Sequence, residues 1–152
     1  MDKAEKFFCE GVVDLSEYRY FLQDGEEDST GNFPQEFFDI IDFMKADGPH
    51  DCFKVTFYGN NLEIIGKRNG ESGCSELVVR LRDRKIKIRV MELIHQREGR
   101  MTKLYNYLVS IRKKYNLEKI IVEACNTEDS KKWCEKNGLI PYSEQVDCYI
   151  EP

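Results

Sequence analysis

An amphipathic helix followed closely by a buried strand is the sequence feature that most constrains the fold. Apolar residues recur there at helical spacing: Leu104, Leu108, Ile111 and Tyr115. Asn116 suits a left-handed position after the helix, and residues 119–125 are an apolar run typical of a buried strand. A strand is also predicted over residues 86–90, before the helix. A crossover of this length implies that the two strands are parallel neighbours joined by a right-handed connection.

The elements before this unit are predicted to be antiparallel. A helix after Pro34 shows apolar residues at Phe37, Phe38, Ile41 and Met44 and is ended by Asp47-Gly48-Pro49. Residues 53–57 and 62–65 form a predicted hairpin across Gly59-Asn60-Asn61, and residues 77–81 pair with 86–90 across Asp83-Arg84. The predicted fold class is therefore α/β, with a mixed, mostly antiparallel central sheet and a parallel strand pair around the crossover helix.

The strand before the crossover helix changes phase. Its apolar positions are Ile86, Ile88 and Val90, and then Met91 and Leu93. One extra residue must be absorbed near Val90, which is what a β-bulge does. The alternative is a strand that is buried on both faces and therefore shows no clean alternation.

The C-terminal segment predicts a short helix and a last strand. Thr127 is a suitable N-cap for a helix that ends at Asn137-Gly138, and residues 146–150 have the composition of a strand. There is no internal repeat, and 152 residues fit one domain, so we expect a single domain over residues 1–152.

Composition describes an ordinary globular protein, with 41% hydrophobic and 34% charged residues. No apolar run reaches the roughly 18 to 20 residues of a membrane span, and Met1–Lys6 leads into no apolar signal core, so a cytoplasmic location is expected. The six cysteines are scattered without a Cys-x-x-Cys pair, which favours reduced thiols. The cysteines and two histidines have no metal-ligand spacing, so no metal is expected.

Charge is distributed unevenly along the chain. Residues 1–51 carry fourteen acidic and four basic side chains, whereas residues 84–119 carry eleven basic and three acidic ones. A basic stretch in an acidic protein indicates a local anionic ligand, or else a solvated face whose charges pair internally.

A phosphate site is predicted where the strand gives way to the crossover helix. The connecting residues are polar and contain one glycine: Gln96, Arg97, Glu98, Gly99, Arg100, Met101 and Thr102. The first amides of a helix lack intrahelical acceptors, and together with the positive end of the dipole they attract anions. Gly99 would let the backbone approach a phosphate closely, and Arg97 and Arg100 add positive charge. The alternative is an ordinary turn from strand to helix.

Two segments resemble the GNAT superfamily of acyl-CoA-dependent N-acyltransferases. Gln96-x-x-Gly99-x-Met101 is similar to the family's pyrophosphate signature, (Gln or Arg)-x-x-Gly-x-(Gly or Ala), with methionine at the last small position. Residues 127–139 are similar to its Asn-x-x-Ala-x-x-Leu-Tyr-x-x-x-Gly-Phe segment. On that alignment Thr127 replaces the capping Asn, Ser130 the small residue near the coenzyme arm, and Cys134 the tyrosine.

The resemblance implies a GNAT-like fold in which residues 74–152 bind acetyl-CoA and residues 1–73 form a variable part on the acceptor side. Direct transfer of the acetyl group to an amine in a ternary complex is then expected. Main-chain groups near Met91 and Leu93 would polarise the thioester carbonyl. Because the family tyrosine is missing, three alternatives stay open: Cys134 is only a core residue, Tyr142 donates the proton instead, or no protein acid is needed.

Three side chains are candidates for the general base that deprotonates the amine: Glu92, Glu123 and His95. Dimers are common in the family, so a homodimer stays open. Two other classes compete with the enzyme: a GNAT-like coenzyme-binding or protein-interaction module without catalysis, and a nucleic-acid binder that uses the basic residues 84–119. The latter is disfavoured because these charges form no recognised motif.

Overall fold

A computed structural model describes residues 18–23, 35–48, 50, 52–58, 61–68, 71–93, 99–123 and 125–152. The strands are β1 (Tyr18–Gln23), β2 (Cys52–Tyr58), β3 (Asn61–Arg68), β4 (Glu71–Arg82), β5 (Lys85–Glu92), β6 (Lys119–Val122), β7 (Ile140–Pro141) and β8 (Tyr149–Ile150). The helices are α1 (Gln35–Asp47), α2 (Arg100–Lys114) and α3 (Glu128–Lys136).

All eight strands form one sheet in the order β1-β2-β3-β4-β5-β6-β8-β7. The pairs are antiparallel except for β5 and β6, which run parallel on either side of the crossover through α2. The predicted fold class is confirmed, including its parallel pair. A helical crossover is required there because two parallel strands cannot be joined by a tight hairpin.

Helices α1 and α2 pack beside each other and share one apolar core with the sheet. Ile40 and Met44 of α1 are fully buried, and Leu104 and Leu108 of α2 are each only 1% exposed. Against them lies Ile86 of β5, also buried to 1%. Burying each of these side chains contributes roughly 1.5–3 kcal/mol, so the apolar stripe read from the sequence is what fixes α2 on the sheet.

The predicted bulge in β5 is confirmed. Val79 of β4 lies opposite Ile88, whereas Val78 lies opposite Val90, so Arg89 has no opposite residue. This extra residue changes which later side chains face the core, and Leu93 is accordingly buried.

Both predicted turns around the crossover unit have left-handed residues. Asp83 and Arg84, which join β4 to β5, have φ values of 52° and 60°, so this tight turn forms without glycine. Asn116 has φ 55° after α2, and the amide of Leu117 donates to the carbonyl of Arg112 over 2.9 Å. That bond closes the helix as predicted.

Two strand predictions are corrected, and two strands were not predicted. The strand predicted over 119–125 ends at Val122, and the strand predicted over 146–150 is limited to Tyr149–Ile150. Val146 is 89% exposed and Asp147 has φ 55°, so this segment is a turn rather than a strand. Strands β1 and β7 were not predicted. No helix in the described part of the chain is long and apolar enough to cross a membrane.

Candidate functional site

The parallel strands β5 and β6 separate towards their carboxyl ends. Their pairing runs from Lys85 opposite Lys119 to Ile88 opposite Val122, and one further bond joins the amide of Glu123 to the carbonyl of Ile88 over 2.9 Å. Beyond the bulge, β5 continues to Glu92 while paired with β4 alone among the described strands. The edge of β5 at Met91 and Leu93 therefore has no described partner on the side of β6, and we call the space beside this edge the cleft.

Helix α2 begins at this same edge of the sheet. Its N-cap is Gly99, with φ 75°, and no side chain caps its amides among the described residues. The first turn carries no acidic residue. The amide of Lys103 donates to the carbonyl of Gly99, as the first bond of the helix. The preceding amides and the positive end of the dipole are the elements of an anion site.

Helix α3 also begins near this edge, but its amides are capped by its own side chains. Thr127 is the N-cap, and its Oγ1 accepts from the amide of Ser130 over 3.1 Å. The Ser130 hydroxyl in turn lies 3.1 Å from the amide of Thr127. This reciprocal capping box confirms that Thr127 starts the helix.

The two helices are joined by Trp133. Its indole Nε1 donates to Thr102 Oγ1 in the first turn of α2, over 3.1 Å. Its ring also meets Tyr105 edge to face, with centroids 5.4 Å apart at 85°. Because of these contacts, a displacement of α3 would change the surroundings of the first turns of α2.

Acidic side chains lie on β5 and on the neighbouring strand. Glu92 is exposed and lies opposite Glu76 of β4. Burial raises the pKa of Glu76 above its usual value, and the charges of Glu63 and Glu92 raise it further. Glu76 was missed in the sequence, although its place on β4 at the level of Glu92 follows from the hairpin register.

Glu123 lies at the other side of the cleft, directly after β6. It is half-buried, and its Oε1 is buried without a hydrogen-bond partner among the described residues. Burial without a hydrogen bond is costly for a polar oxygen, so this oxygen is suited to bind a donor.

Cys134 is fully buried, and its sulfur lies 3.3 Å from that of Cys125. The hydrogen bond with Cys134 lowers the pKa of the Cys125 thiol, and the same bond together with burial raises the pKa of Cys134. A thiol that is buried and holds its proton in this way is a poor substitute for a solvent-reaching tyrosine.

Tyr142 lies apart from these residues. Its hydroxyl donates to Glu144 over 2.8 Å, which raises the tyrosine pKa. It lines a cavity of about 310 Å³ with Arg82 and Lys85, at the beginning of β5, whereas Met91 and Leu93 are at its other end. The structure does not bring Tyr142 together with Cys134 or Gly99.

The remaining predicted residues fall into two groups. His95, Gln96, Arg97 and Glu98 lie outside the described residues. Met101 packs against the core, so its side chain is directed into the protein. The guanidinium of Arg100 donates to the carbonyl of Ala46 near the end of α1. Among the described residues, no cluster of His, Cys, Asp and Glu side chains is placed to hold a metal ion.

The mixed sheet, its bulge and its one parallel pair agree with the fold class expected from the sequence. No protein-family model matches the chain. No curated protein matches it either.

Solved structures with a similar fold include GNAT-family acetyltransferases. The anti-CRISPR protein AcrVA5 is 15% identical with a TM-score of 0.48, over 62% of this chain and 100% of that one. The IAA acetyltransferase from Bacillus cereus ATCC 14579 is 13% identical with a TM-score of 0.46, over 90% and 99%. A GNAT family acetyltransferase from Elizabethkingia anophelis with acetyl-CoA bound is 10% identical with a TM-score of 0.45, over 90% and 97%.

Proposed function

We propose that the protein is an N-acetyltransferase that moves an acetyl group from acetyl-CoA directly to a primary amine of a small molecule, peptide or protein. The observation that supports this best is the coincidence of two features at one edge of the sheet. The cleft between β5 and β6 opens there, and the N-terminus of α2, which begins at Gly99, lies beside it. A thioester arm needs the first feature and a diphosphate needs the second.

The coenzyme would be held mainly by main-chain groups. The diphosphate would lie against the segment from Gln96 to Thr102, with the amides of the first turn of α2 as donors. The left-handed backbone at Gly99 (φ 75°) directs the chain away from this approach. Thr127 and Ser130, at the start of α3, would border the pantetheine arm.

Catalysis would consist of positioning the two substrates and polarising the thioester carbonyl. The edge of β5 that faces β6 has no described partner strand beyond the bulge, and Met91 and Leu93 lie there. Main-chain N–H groups in this segment would stabilise negative charge on the carbonyl oxygen. The amine attacks the carbonyl carbon, the carbon–sulfur bond breaks, and the amine proton passes to a base.

Three carboxylates near this edge of the sheet are candidate bases: Glu123, Glu92 and Glu76. Glu123 is favoured by its buried oxygen without a hydrogen-bond partner among the described residues. Glu92 is exposed on the opposite strand, and Glu76, whose pKa is raised, lies beside it. A raised carboxylate pKa brings a base closer to neutral pH, which improves proton transfer. We expect Glu123 to act on the amine directly or through one water.

The alternative is a GNAT-like coenzyme-binding or protein-interaction module without catalysis. The burial of Cys134 favours it, because this residue stands in the place of the proton-donating tyrosine and is 0% exposed. Catalysis is compatible with the burial of Cys134 only if the coenzyme thiolate leaves without protonation by a protein acid. Its modest basicity makes that chemically reasonable.

Calorimetric titration with acetyl-CoA and with CoA, followed by a thiol-release assay on a panel of amines, tests the proposal. Binding together with amine-dependent thiol release supports the enzyme. Binding of the coenzyme without thiol release in the presence of any amine supports the coenzyme-binding module. Absence of binding to either nucleotide contradicts the enzyme and the coenzyme-binding module, and leaves only the protein-interaction module. In the panel, we expect cationic amines to be preferred, because residues 1–51 carry a net excess of acidic side chains and residues 1–73 would form the acceptor side.

A further inference from the structure

Cys125 and Cys134 bring two buried thiols into direct contact. Cys125 follows β6 and is 2% exposed, while Cys134 belongs to α3 and is 0% exposed. Their sulfurs lie 3.3 Å apart, and both are reduced. A disulfide bond measures about 2.05 Å, so a contraction of about 1.2 Å would join them.

We propose that Cys125 and Cys134 are an oxidation site at which a peroxide converts the two thiols into a disulfide. Neither the acetyl transfer proposed above nor the coenzyme is needed for this reaction. We take Cys125 as the attacking sulfur, because the contact with Cys134 lowers the pKa of the Cys125 thiol.

The reaction balances with one peroxide molecule. The Cys125 thiolate attacks a peroxide oxygen, the oxygen–oxygen bond breaks, and hydroxide leaves to give a sulfenic acid on Cys125. The sulfur of Cys134 then attacks the sulfur of Cys125, the sulfur–oxygen bond breaks, and the protons released convert both hydroxide groups to water. Two thiols are oxidised, and one peroxide is reduced to two waters.

Access to the buried pair requires only a small opening. Peroxide is close to water in size, and Cys134 is carried by a helix of nine residues. Short surface helices open locally at a small fraction of the free energy of global unfolding. Cys148 gives a comparison, because it is also buried and its Sγ lies 3.4 Å from the carbonyl of Val146.

Closure of the disulfide has a built-in optical reporter. The chain has a single tryptophan, Trp133, which is adjacent to Cys134 and bonded to Thr102 over 3.1 Å. Movement of α3 towards β6 changes the contacts of this indole with Thr102 and Tyr105. Tryptophan fluorescence should therefore change in parallel with oxidation and revert with a dithiol reductant.

Peptide mapping of the folded wild-type protein tests the proposal without any substitution. After treatment with hydrogen peroxide, alkylation and trypsin digestion without reduction, residues 120–131 should be linked to residues 133–136, because Lys131 and Lys132 separate the two cysteines. The linked pair should be lost on reduction with dithiothreitol. Cys125→Ser should abolish both the linked pair and the fluorescence change, and Cys148→Ser should retain both.

Three outcomes would overturn the proposal. The first is alkylation of Cys125 and Cys134 as separate thiols in peroxide-treated protein whose circular dichroism is unchanged. The second is separate oxidation of the two sulfurs to sulfinic acids. The third is linkage of Cys125 chiefly to another cysteine of the chain.

Discussion

Helices α2 and α3 start near the same edge of the sheet, but their first turns differ. The amides of α3 are occupied by the side chains of Thr127 and Ser130, whereas α2 starts at Gly99 without a side-chain cap among the described residues. A capped helix start has little capacity left for a ligand, and an uncapped one attracts anions. Under the proposed function, α2 would therefore bind the diphosphate, and α3 would lie beside it without contributing its amides.

Side chains at the C-terminal end of α2 form hydrogen bonds and an ion pair with other parts of the protein. Glu36 of α1 accepts hydrogen bonds from Lys114 and from the Tyr115 hydroxyl, the latter over 2.8 Å. The Arg112 guanidinium lies 2.8 Å from Glu151. These contacts hold the helix by its C-terminal end, so its N-terminal end can stay available for a ligand without loss of position.

The largest effect is expected from Gly99→Val. A β-branched side chain is strained at φ 75° and occupies the space through which the diphosphate approaches, so acetyl-CoA affinity should fall by an order of magnitude or more, about 1.4 kcal/mol. Calorimetry measures this change.

Gly138→Val is the matched control. Gly138 has φ 82°, and a side chain there meets open space, as it does at Gly99. Gly138 lies beyond the C-terminal end of α3, away from the proposed diphosphate site. The variant should therefore lose a similar amount of unfolding free energy and keep its affinity for acetyl-CoA. Equal affinity losses in the two variants would show that the diphosphate is not held at the start of α2.

Glu36→Gln should destabilise the protein by about 1–2 kcal/mol at neutral pH, because it weakens hydrogen bonds to a charged acceptor. Burial alone would raise the pKa of Glu36, but the bonds from Lys114 and Tyr115 outweigh it and hold the pKa below 4.5. A lowered folded-state pKa means that the stabilisation is complete above the ordinary carboxyl pKa and is lost as pH falls through the lowered value.

Urea denaturation of Glu36→Gln and wild type at neutral and acidic pH measures this difference. It should shrink as the pH falls. Glu118→Gln is the control, because Glu118 is an exposed glutamate paired with Lys85 at 3.2 Å and should contribute little. A difference that grows in acid would contradict the assignment of a lowered pKa to Glu36.

Thr127→Ala should cost about 1 kcal/mol of unfolding free energy, because it removes the N-cap of α3. Its effect on acetyl-CoA affinity should be much smaller than that of Gly99→Val, since the Thr127 oxygen already bonds Ser130. A double-mutant cycle with Ser130→Ala, read by urea denaturation, should show coupling between the two residues. If Thr127→Ala instead reduced affinity without reducing stability, the two helix starts would have the opposite roles.

Sequence patterns predicted the elements whose signals are local. Apolar spacing identified α2, the change of phase near Val90 identified the bulge, and Asn116 marked the end of the helix. Strand β7 was missed because two residues carry no periodicity. The predicted strand over 146–150 was wrong because its pattern is apolar, whereas an exposed turn takes up its first half.

The candidate site was predictable only where it depends on residues that are close together in the sequence. The uncapped start of α2 follows from Gly99 and the residues after it. The contacts between α3 and the rest of the molecule join residues far apart in the chain: Trp133 with Thr102, and Cys134 with Cys125. Tyr142 was considered as a proton donor near the coenzyme, but it lies beside Arg82 and Lys85 at the beginning of β5. This position depends on how the loop between β7 and β8 folds, which the local sequence pattern does not reveal.

Lys103→Glu should have the smallest effect, and its two readouts should move in opposite directions. Lys103 is exposed in the first turn of α2, where a negative charge interacts favourably with the helix dipole and should raise the unfolding free energy by about 0.3–1 kcal/mol. The same charge repels a diphosphate, so acetyl-CoA affinity should fall a few-fold at low salt and less at high salt. Lys131→Glu places the charge at the equivalent position of α3 and should give the gain in stability without the loss of affinity. If both variants weakened binding equally, the anion would be responding to the charge of the whole edge, and the distinction between a capped and an uncapped helix start would not decide where it binds.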